Sequence, residues 1–288
     1  MAYLDRIREV RNFDPGTYRP FRVAGRQVGL IHDTVAGLLE PYKDVLVPVA
    51  DGFELDPRLS SPAARSAAMA GVLADMKGRG LIKGWRDEAY AVRERWGTPV
   101  LMEMERAAVP LFGVEGYGVH VNGFVRDGDG IKMWIGRRSL TKPTAPGKLD
   151  QVVAGGQPAG IGVTENLVKE CGEEAAIPAD LARRAFPVSA LTYCTQRAEG
   201  LRRDVLFNFD LELPADFTPR NTDGEVAEFL LWPMDKVMAV VRETDEFKFN
   251  CGIIVIDFLL RRGFIGPDDP DYLDLLQGMH WRHGRPPA

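Results

Sequence analysis

Alternation of apolar and polar positions is the clearest pattern in the second half of the chain. The segments YGVHVNGFVRD and IKMWIGRRS alternate with a period of two on either side of DGDG, residues 127–130, which indicates two strands joined by a tight turn. The runs ALTYCTQ, DVLFNFDLEL and EFLLWPM also predict strands, whereas DKVMAVVRE and FNCGIIVIDFLLRRG predict helices. We therefore expect a sheet-containing domain over residues 113–265.

The first part of the chain has a mixed pattern. The segment SSPAARSAAMAGVLADMK, from Ser60 to Lys77, predicts a helix that begins at Ser/Pro capping residues and ends at the glycines that follow. Apolar and basic residues alternate less regularly around it. We predict an N-terminal α+β domain over residues 1–112 and, after the second domain, a C-terminal helix and tail over residues 266–288.

Composition narrows the class of protein. The chain has 288 residues, 45% of them hydrophobic and 27% charged, which is typical of a soluble globular protein large enough for two domains. It contains no apolar run long enough to span a membrane, and its start, MAYLDRIREVRNFDPG, lacks the apolar core of a secretory signal. We expect a soluble cytoplasmic protein. The net charge of −5 gives no general attraction to nucleic acid or membranes, so neither is an expected partner.

The cysteines and histidines show no metal-binding spacing along the sequence. The cysteines are Cys171, Cys194 and Cys251, which are far apart and odd in number; this favours buried thiols in a reducing compartment over disulfides. The histidines are His32, His120, His280 and His283. Because His120 lies within a predicted strand, we expect it to be a packed residue rather than a catalyst.

The segment with the strongest chemical signal follows the predicted hairpin. It has the sequence GGQPAGIGVTENLVKECGEEAAI over residues 155–177, a glycine-rich loop before a helix expected at about Thr164 to Ala176. Glu170, Glu173 and Glu174 are spaced so that they project from one helical face, where like charges repel. A divalent cation would relieve that repulsion, and oxygen ligands suit Mg²⁺ or Mn²⁺. The segment therefore predicts a metal site for phosphate chemistry.

The loop and helix resemble the Nudix box, written G-x5-E-x7-R-E-U-x-E-E-x-G-U, in which U is an aliphatic residue. Gly155 stands fifteen positions before Glu170 and begins this frame, and Ile177 fills its last position. We expect the departures from the box to be traits of a subgroup rather than signs of an inactive site. They are Ile161 for the internal Glu, Lys169 for the Arg and Ala176 for the last Gly.

The resemblance extends over nearly the whole chain. The segments MERAAVPLFGVEGYGVHVNGFV, PGKLDQVVAGG and FNCGIIVIDFLLRRG look like the two-domain Nudix proteins of fungi and plants that are related to thiamine pyrophosphokinase and carry a DUF4743 domain at the N-terminus. This resemblance implies a Nudix fold, an α+β architecture in which helices sandwich a mixed β-sheet, together with an N-terminal α+β domain. It also implies a pyrophosphohydrolase that needs Mg²⁺ or Mn²⁺ and cleaves a diphosphate joined to an organic group, with thiamine diphosphate and its oxidised, damaged analogues as the nearest substrates.

Residue roles follow from the resemblance by position. Glu173 and Glu174 would be catalytic metal ligands, and Glu170 would be a further ligand or the base that activates water. The backbone carbonyl of Ala154 or Gly155 could complete the metal sphere. A later acid is also expected, and we favour Glu225; the candidates in NTDGEVAEF are Asp223, Glu225 and Glu228.

Other residues are candidates for holding the substrate. We expect phosphate to meet the glycine loop and nearby basic side chains, and an aromatic ring to stack on the organic group. The candidate substrate-binding residues are Gly155, Gly156, Arg137, Arg138, Lys148 and Trp134. The N-terminal domain has no motif of its own, but four of its residues could close over the substrate: Arg19, Arg22, Trp85 and Arg86.

Alternative functions stay open at this point. The substrate could be a nucleoside-diphosphate-linked compound, or the protein could be a sensor that binds a diphosphate without cleaving it, an interpretation motivated by Ile161 and Lys169. A prenyl-diphosphate isomerase would need a cysteine before the box, and none occurs between Tyr117 and Glu170. The sequence has no G-x-x-x-x-G-K-[ST] loop, so we expect no thiamine kinase activity. The expected partner is a small-molecule diphosphate, and a homodimer is left open.

Overall fold

The computed structural model describes residues 2–279 of the 288-residue chain. The helices in this range are α1 (Tyr3–Glu9), α2 (Asp33–Ala36), α3 (Pro62–Gly78), α4 (Val163–Ala175), α5 (Ala179–Ala182), α6 (Met234–Glu243), α7 (Cys251–Arg261) and α8 (Tyr272–Met279). The strands are β1 (Tyr18–Val23), β2 (Arg26–His32), β3 (Leu46–Val49), β4 (Gly52–Leu55), β5 (Ala89–Val92), β6 (Met102–Glu105), β7 (Glu115–Asp127), β8 (Gly130–Arg138), β9 (Leu149–Gln151), β10 (Val153–Gly156), β11 (Phe186–Arg197), β12 (Gly200–Glu212) and β13 (Val226–Pro233). The predicted tail at 280–288, with His280 and His283, lies outside the described residues. None of the helices between residues 2 and 279 has the length and apolar character needed to cross a bilayer.

The second half of the chain is built on a mixed sheet. Its strand order is β11-β12-β7-β8-β13, with β10 added to β7 and β9 added to β8. The β12–β7 pair is parallel and the other pairs are antiparallel. The hairpin predicted around DGDG is confirmed, since Asp127 of β7 pairs with Gly130 of β8.

The sheet lies between two helical layers, which confirms the predicted fold class. Successive side chains of a strand point to opposite faces, and Val119 and Val121 of β7 pack with the α4 side chains Leu167 and Cys171. Phe124 of the same strand faces the other way, into a core shared with α6, α7 and α8. The alternation seen in the sequence thus separates two apolar cores, one on each face of the sheet.

The N-terminal part has its own apolar core. A four-stranded sheet, in the order β2-β1-β4-β3, and the β5–β6 pair lie with α3 around it. The predicted helix is confirmed as α3, and its start is capped by Ser61, whose Oγ accepts the Ala64 N–H at 3.1 Å. The short strands were not recognisable individually, because none alternates over more than a few residues.

Helix α1 packs against the second half of the chain rather than the N-terminal core. Tyr3, Ile7 and Val10 belong to the core that contains α7 and α8. The Val10 carbonyl accepts the N–H of Cys194 in β11 at 3.1 Å. The division of the chain near residue 112 stays a prediction, and α1 is the element that crosses it.

The segment LDQVVAG, predicted as one strand, forms two. β9 pairs with β8 and β10 pairs with β7, so the chain passes from one strand to its neighbour at Val152. The Val152 side chain is fully buried against Gly123. A Cβ atom at Gly123 would lie 2.7 Å from Val152 Cγ1, so glycine leaves room for this side chain. The two short strands bring the glycine loop to the sheet centre, directly before α4.

Helix α4 ends in a left-handed residue. It was predicted at about Thr164 to Ala176 and spans Val163–Ala175, and Ala176 follows with φ of +52°. Only glycine adopts this conformation without a steric penalty, which is of the order of 1–2 kcal/mol for other residues. Ala176, at the box position where the resemblance expects glycine, therefore adopts a backbone conformation that favours glycine.

We expect Ala176→Gly to stabilise the protein by about 0.5–1 kcal/mol, because relief of the left-handed strain exceeds the extra chain entropy of glycine. The measurement is urea denaturation of the metal-free protein. The matched control is Ala175→Gly, one residue earlier inside the buried end of α4, which should destabilise by about 1 kcal/mol or more. A lower stability for Ala176→Gly would contradict the strain argument.

Candidate active site

The three glutamates predicted on one helical face are brought together on α4. Glu170 and Glu174 are buried, with 9% and 7% of their surface exposed, while Glu173 is exposed. The Glu174 Oε2 accepts the N–H of Ala154 in β10 at 2.7 Å. Lys169 Nζ donates to Glu173 Oε2 at 2.7 Å and to Glu170 Oε1 at 3.2 Å. Lys169, which stands in the Arg position of the box, therefore contacts two of the three carboxylates.

Two glycines allow the close approach on which this site depends. A Cβ atom at Gly155 would lie 2.2 Å from Glu170 Cδ, so a larger residue would displace that carboxylate. A Cβ atom at Gly156 would lie 1.7 Å from the Tyr90 hydroxyl and 3.0 Å from Arg106 Cζ. The glycine pair of β10 therefore contacts α4 on one side and the N-terminal part on the other.

Burial makes the charges of these carboxylates costly. Burial raises the pKa of Glu170, and the nearby Lys169 ammonium only partly offsets it. The pKa of Glu174 is raised well above its ordinary value, chiefly by burial and also by the charges of Glu170 and Glu225, against the Ala154 N–H bond. The positive charge near these two carboxylates does not offset their burial, and a bound cation would supply the further compensation.

Two further acids reach the same cavity from the loop before β13. Asp223 and Glu225 both line it, and the Glu225 carboxylate bonds the Lys142 ammonium. Burial acts to raise the pKa of Glu225, but Lys142 and then Arg86 outweigh it and lower the pKa. The third candidate, Glu228, lies elsewhere. The side-chain atoms that converge here as potential metal ligands are all oxygens, which suit Mg²⁺ or Mn²⁺.

The glutamates form one wall of a charged cavity of about 210 Å³. Its other walls are rich in basic side chains: Arg86, Arg106, Arg138, Lys142, Lys169, Arg202 and Lys248. Two of them, Arg86 and Arg106, come from the N-terminal part. Acidic and basic groups facing one another across a small space can hold a polyanion together with cations.

A recess of about 100 Å³ opens beside the glycine pair. It shares Arg106, Arg202, Lys248 and the β10 backbone with the charged cavity, and three tyrosines give it aromatic walls: Tyr90, Tyr117 and Tyr193. We call this space the tyrosine recess. An extended ligand could place its charged end in the cavity and a ring in the recess.

Half of the predicted substrate-binding residues line the charged cavity. Gly155 and Gly156 do so through their backbone, and Arg138 does so with its side chain. Arg138 is also tied to the protein, since Nη1 donates to Asp150 Oδ2 at 2.8 Å and Nη2 to the Thr144 carbonyl at 2.8 Å. It contributes positive charge to the wall from a fixed position.

The other predicted substrate-binding residues are not brought there. Arg137 Nε donates to Glu228 Oε1 at 2.7 Å, because neighbouring residues of β8 face opposite sides of the sheet. Lys148 Nζ pairs with Asp245 at 3.1 Å. Trp134 is 8% exposed and packs in the core between the sheet and α4. The structure places these three side chains outside the charged cavity.

Only one of the four N-terminal residues proposed to cover the site lines the charged cavity. Arg86 lines the charged cavity. Arg19 and Arg22 instead form ion pairs with nearby aspartates, at 2.7 Å and 2.6 Å. Trp85 donates its Nε1–H to Asp87 at 2.7 Å.

Sequence reasoning missed several residues of the site. They are Glu88, Tyr90, Arg106, Lys142, Arg202 and Lys248. They come from five separate segments, and no spacing along the chain connects them with the glutamate helix. Their only signal was indirect: Arg106 lies in the run MERAAVPLFG, which carried part of the family resemblance.

A buried polar cluster lies below the cavity. Ligand-type atoms of His120, Asp150 and Cys251 lie within 4.8 Å of one another, and this is the one such group of three among residues 2–279. The Cys251 thiol donates to Asp150 Oδ1 at 2.8 Å, and Arg138 and Lys248 also pair with that carboxylate. Although burial acts to raise the pKa of Asp150, these cations lower it. With its charge already compensated, the cluster is explained as a hydrogen-bonded core.

The chain is similar to a family of N-terminal domains and to a solved structure. Residues 2–116 match the family described as "Domain of unknown function (DUF4743)". Among solved structures, the MutT protein of Methanosarcina mazei Go1 has a TM-score of 0.41 and 16% identity, covering 53% of this chain and 96% of its own.

Two plant proteins are similar over most of the chain. Nudix hydrolase 20, chloroplastic, of Arabidopsis thaliana is 44% identical over 277 residues, which cover 93% of this chain and 74% of the relative. Nudix hydrolase 24, chloroplastic, of the same plant is 46% identical over 263 residues, which cover 90% of this chain and 72% of the relative. At this level of identity over this length, and with the mixed sheet and glutamate helix in place, the chain belongs to the Nudix hydrolase family.

Proposed function

We propose that this Nudix hydrolase uses Mg²⁺ or Mn²⁺ to cleave the P–O–P linkage of a diphosphate joined to an organic group. One observation carries the proposal: the buried carboxylates of α4 and a set of arginines and lysines line the same cavity. A diphosphate with its cations matches both kinds of wall, because the metal needs carboxylate oxygens and the phosphate oxygens need cationic donors.

Glu170, Glu173, Glu174 and Glu225 are the residues that would hold the metal. Glu174 accepts the Ala154 N–H and Glu170 packs closely on Gly155, so both carboxylates lie against the β10 backbone, whose carbonyls are the proposed further oxygen ligands. When bound, divalent cations neutralise phosphate charge and lower the pKa of a water molecule. Lys169 would then move from between Glu170 and Glu173 toward the phosphate or solvent.

The chain itself would supply orientation and proton transfer. A water oxygen attacks one phosphorus while the bond from that phosphorus to the bridging oxygen breaks, giving two monophosphate groups. If Glu170 is not itself a metal ligand, it is the proposed acceptor of the water proton at a carboxylate oxygen, because it lines the cavity beside the other carboxylates. The basic side chains of the cavity would balance the charge on the departing oxygen.

The tyrosine recess supports a substrate with a planar ring next to its diphosphate. Aromatic walls favour flat heterocycles, and a positively charged ring gains more from them. Asp204 and His120, whose pKa burial lowers to about 4, line the recess together with Arg106, Arg202 and Lys248, so its aromatic walls rather than its charge favour a flat ring. We therefore propose thiamine diphosphate and its oxidised analogues as the first substrates, with nucleoside-diphosphate-linked compounds as the alternative.

A sensor that binds a diphosphate without cleaving it is the second candidate function. The observation in its favour is the position of Lys169, whose ammonium already contacts two of the expected metal ligands. Such an arrangement would bind an anion through Lys169 and leave the carboxylates without metal.

Location and assembly stay predictions from the sequence. We propose a cytoplasmic protein whose partner is a small-molecule diphosphate, with a homodimer left open. The word chloroplastic in the names of the two relatives describes those proteins.

We expect the purified protein to release phosphate from thiamine diphosphate or its oxo and oxy analogues only when Mg²⁺ or Mn²⁺ is present. Product analysis by chromatography should show the organic monophosphate, because the cut lies between the two phosphorus atoms. A panel of nucleoside-diphosphate-linked compounds tests the alternative substrate class. Turnover that survives EDTA, or none across the whole panel, would rule out the metal-dependent hydrolase; binding without turnover would favour the sensor.

We expect Glu174→Gln to lower kcat by about 100-fold or more and yet to raise the melting temperature of the metal-free protein. The pKa of Glu174 is raised above 4.5 in the folded protein, so its protonation stabilises the fold. That stabilisation is fully present below pH 4.5 and is lost as the pH rises through the folded-state pKa. The gain in melting temperature should therefore be largest at neutral pH and shrink toward pH 4.5.

Glu165→Gln is the matched control, because Glu165 lies in the first turn of the same helix and is exposed. It should change neither kcat nor the metal dependence of the melting temperature. Adding Mg²⁺ should stabilise this control and the wild-type protein more than Glu174→Gln. Equal stabilisation of all three by Mg²⁺ would exclude Glu174 as a ligand.

A further inference from the structure

Arg106 lies where the N-terminal part meets the candidate active site. It follows β6 directly, and its side chain lines both the charged cavity and the tyrosine recess. It also borders a third opening of about 400 Å³ between the N-terminal part and the loop that carries Thr144. A ligand that extends from the cavity into the recess would pass this side chain.

The backbone at Arg106 is fixed by a carboxylate. The Glu105 side chain accepts the N–H groups of Arg86 at 2.9 Å, Glu88 at 3.3 Å and Ala107 at 3.1 Å. The N–H of Arg106 donates to the Glu88 carbonyl at 2.8 Å. The two N-terminal segments that reach the cavity are thereby held to each other before any ligand binds.

The side chain is supported on two sides and open on a third. Nη1 donates to Glu88 Oε2 at 2.7 Å, and the guanidinium carbon lies 5.5 Å from the centre of the Tyr90 ring. The Arg106 side chain also packs against Gly156 of β10, whereas Glu170 packs against the neighbouring Gly155. The side chain is still 41% exposed, so donors remain accessible from the cavity.

Most other cations of the cavity are already engaged by carboxylates. The pairs are Arg138–Asp150, Lys142–Glu225, Lys169–Glu173, Arg202–Glu199 and, at 3.6 Å, Lys248–Asp150, whereas Arg86 has none among the described residues. Arg202 has a second carboxylate, Asp204, at 3.6 Å. Among the described residues, Glu88 is the one ion-pair partner of Arg106. Because a guanidinium has five N–H donors, one carboxylate contact leaves others for an anion.

We propose that Arg106 binds the diphosphate of the substrate directly, from the side opposite the α4 glutamates. The inference rests on the proposed function, because it takes a diphosphate as the ligand of this cavity. Phosphate oxygens match the planar fork of arginine, which can give two parallel N–H bonds where lysine gives a single charge. The N-terminal part then contributes a substrate-binding residue to the site rather than serving only as a neighbour of the hydrolase fold.

The test is the binding of methylenediphosphonate, a diphosphate analogue whose P–C–P linkage resists hydrolysis. Its affinity for the full-length protein is measured by calorimetry in the presence of Mg²⁺ for the wild type, Arg106→Gln and Arg106→Lys. Losing a charge-assisted contact should weaken binding about 10- to 100-fold in Arg106→Gln. The lysine variant, which keeps the charge without the fork, should fall between it and the wild type.

Arg26→Gln is the matched control, since Arg26 is an exposed N-terminal arginine paired with Glu94 and lies outside the three cavities. Its affinity should stay within about twofold of the wild type. Should Arg106→Gln fail to fold, as judged by its melting temperature, the lysine variant decides. Wild-type affinity in a folded Arg106 variant overturns the proposal.

The outcome can be separated from that of the proposed function. If the protein hydrolyses no diphosphate but binds methylenediphosphonate through Arg106, the hydrolase proposal fails and this inference stands. If it hydrolyses thiamine diphosphate or another diphosphate while Arg106→Gln keeps the wild-type KM and kcat, the inference fails and the hydrolase proposal stands.

Discussion

The site depends on two carboxylates buried side by side on one helical face. Removing a carboxylate from water is costly unless a positive charge or hydrogen-bond donors replace the lost hydration. Glu174 accepts one hydrogen bond, from a backbone N–H in β10, and Glu170 accepts one from the Lys169 ammonium. The buried carboxylates therefore destabilise the metal-free fold, and the same two groups are the ones that a bound cation would need.

The lack of side chains at Gly155 and Gly156, the last two residues of β10, is the second constraint. Gly155 gives Glu170 room against the strand, and Gly156 gives room to Tyr90 and Arg106 on the other side. Two neighbouring glycines thus leave room for the acidic wall of the cavity and for the wall supplied by the N-terminal part. A change at either position would alter one wall while leaving the sheet register, set by the β10–β7 pairing, in place.

The features that could be predicted from the sequence are those encoded locally. The hairpin depends on a turn sequence and on period-two alternation, and the acidic face of α4 on i, i+3 and i+4 spacing, so both could be recognised within a short window. Arg137 and Arg138 show where such reasoning stops. They are neighbours at the end of a predicted strand, but one faces Glu228 and the other Asp150, and only the second reaches the cavity. That choice is made by sheet register and long-range partners, which also bring Arg106 to the site.

The position of α1 has a consequence for the order in which the protein can fold. The Glu9 carbonyl accepts a hydrogen bond from Thr195, 186 residues later in the chain, and Tyr3 and Ile7 complete a core whose other members reach α8. During synthesis the first helix leaves the ribosome long before the strand and helices that cover its apolar face exist. The core that contains α7 and α8 cannot close until α8 has been made, and a fragment beginning after residue 112 would lack α1, which contributes Tyr3 and Ile7 to that core.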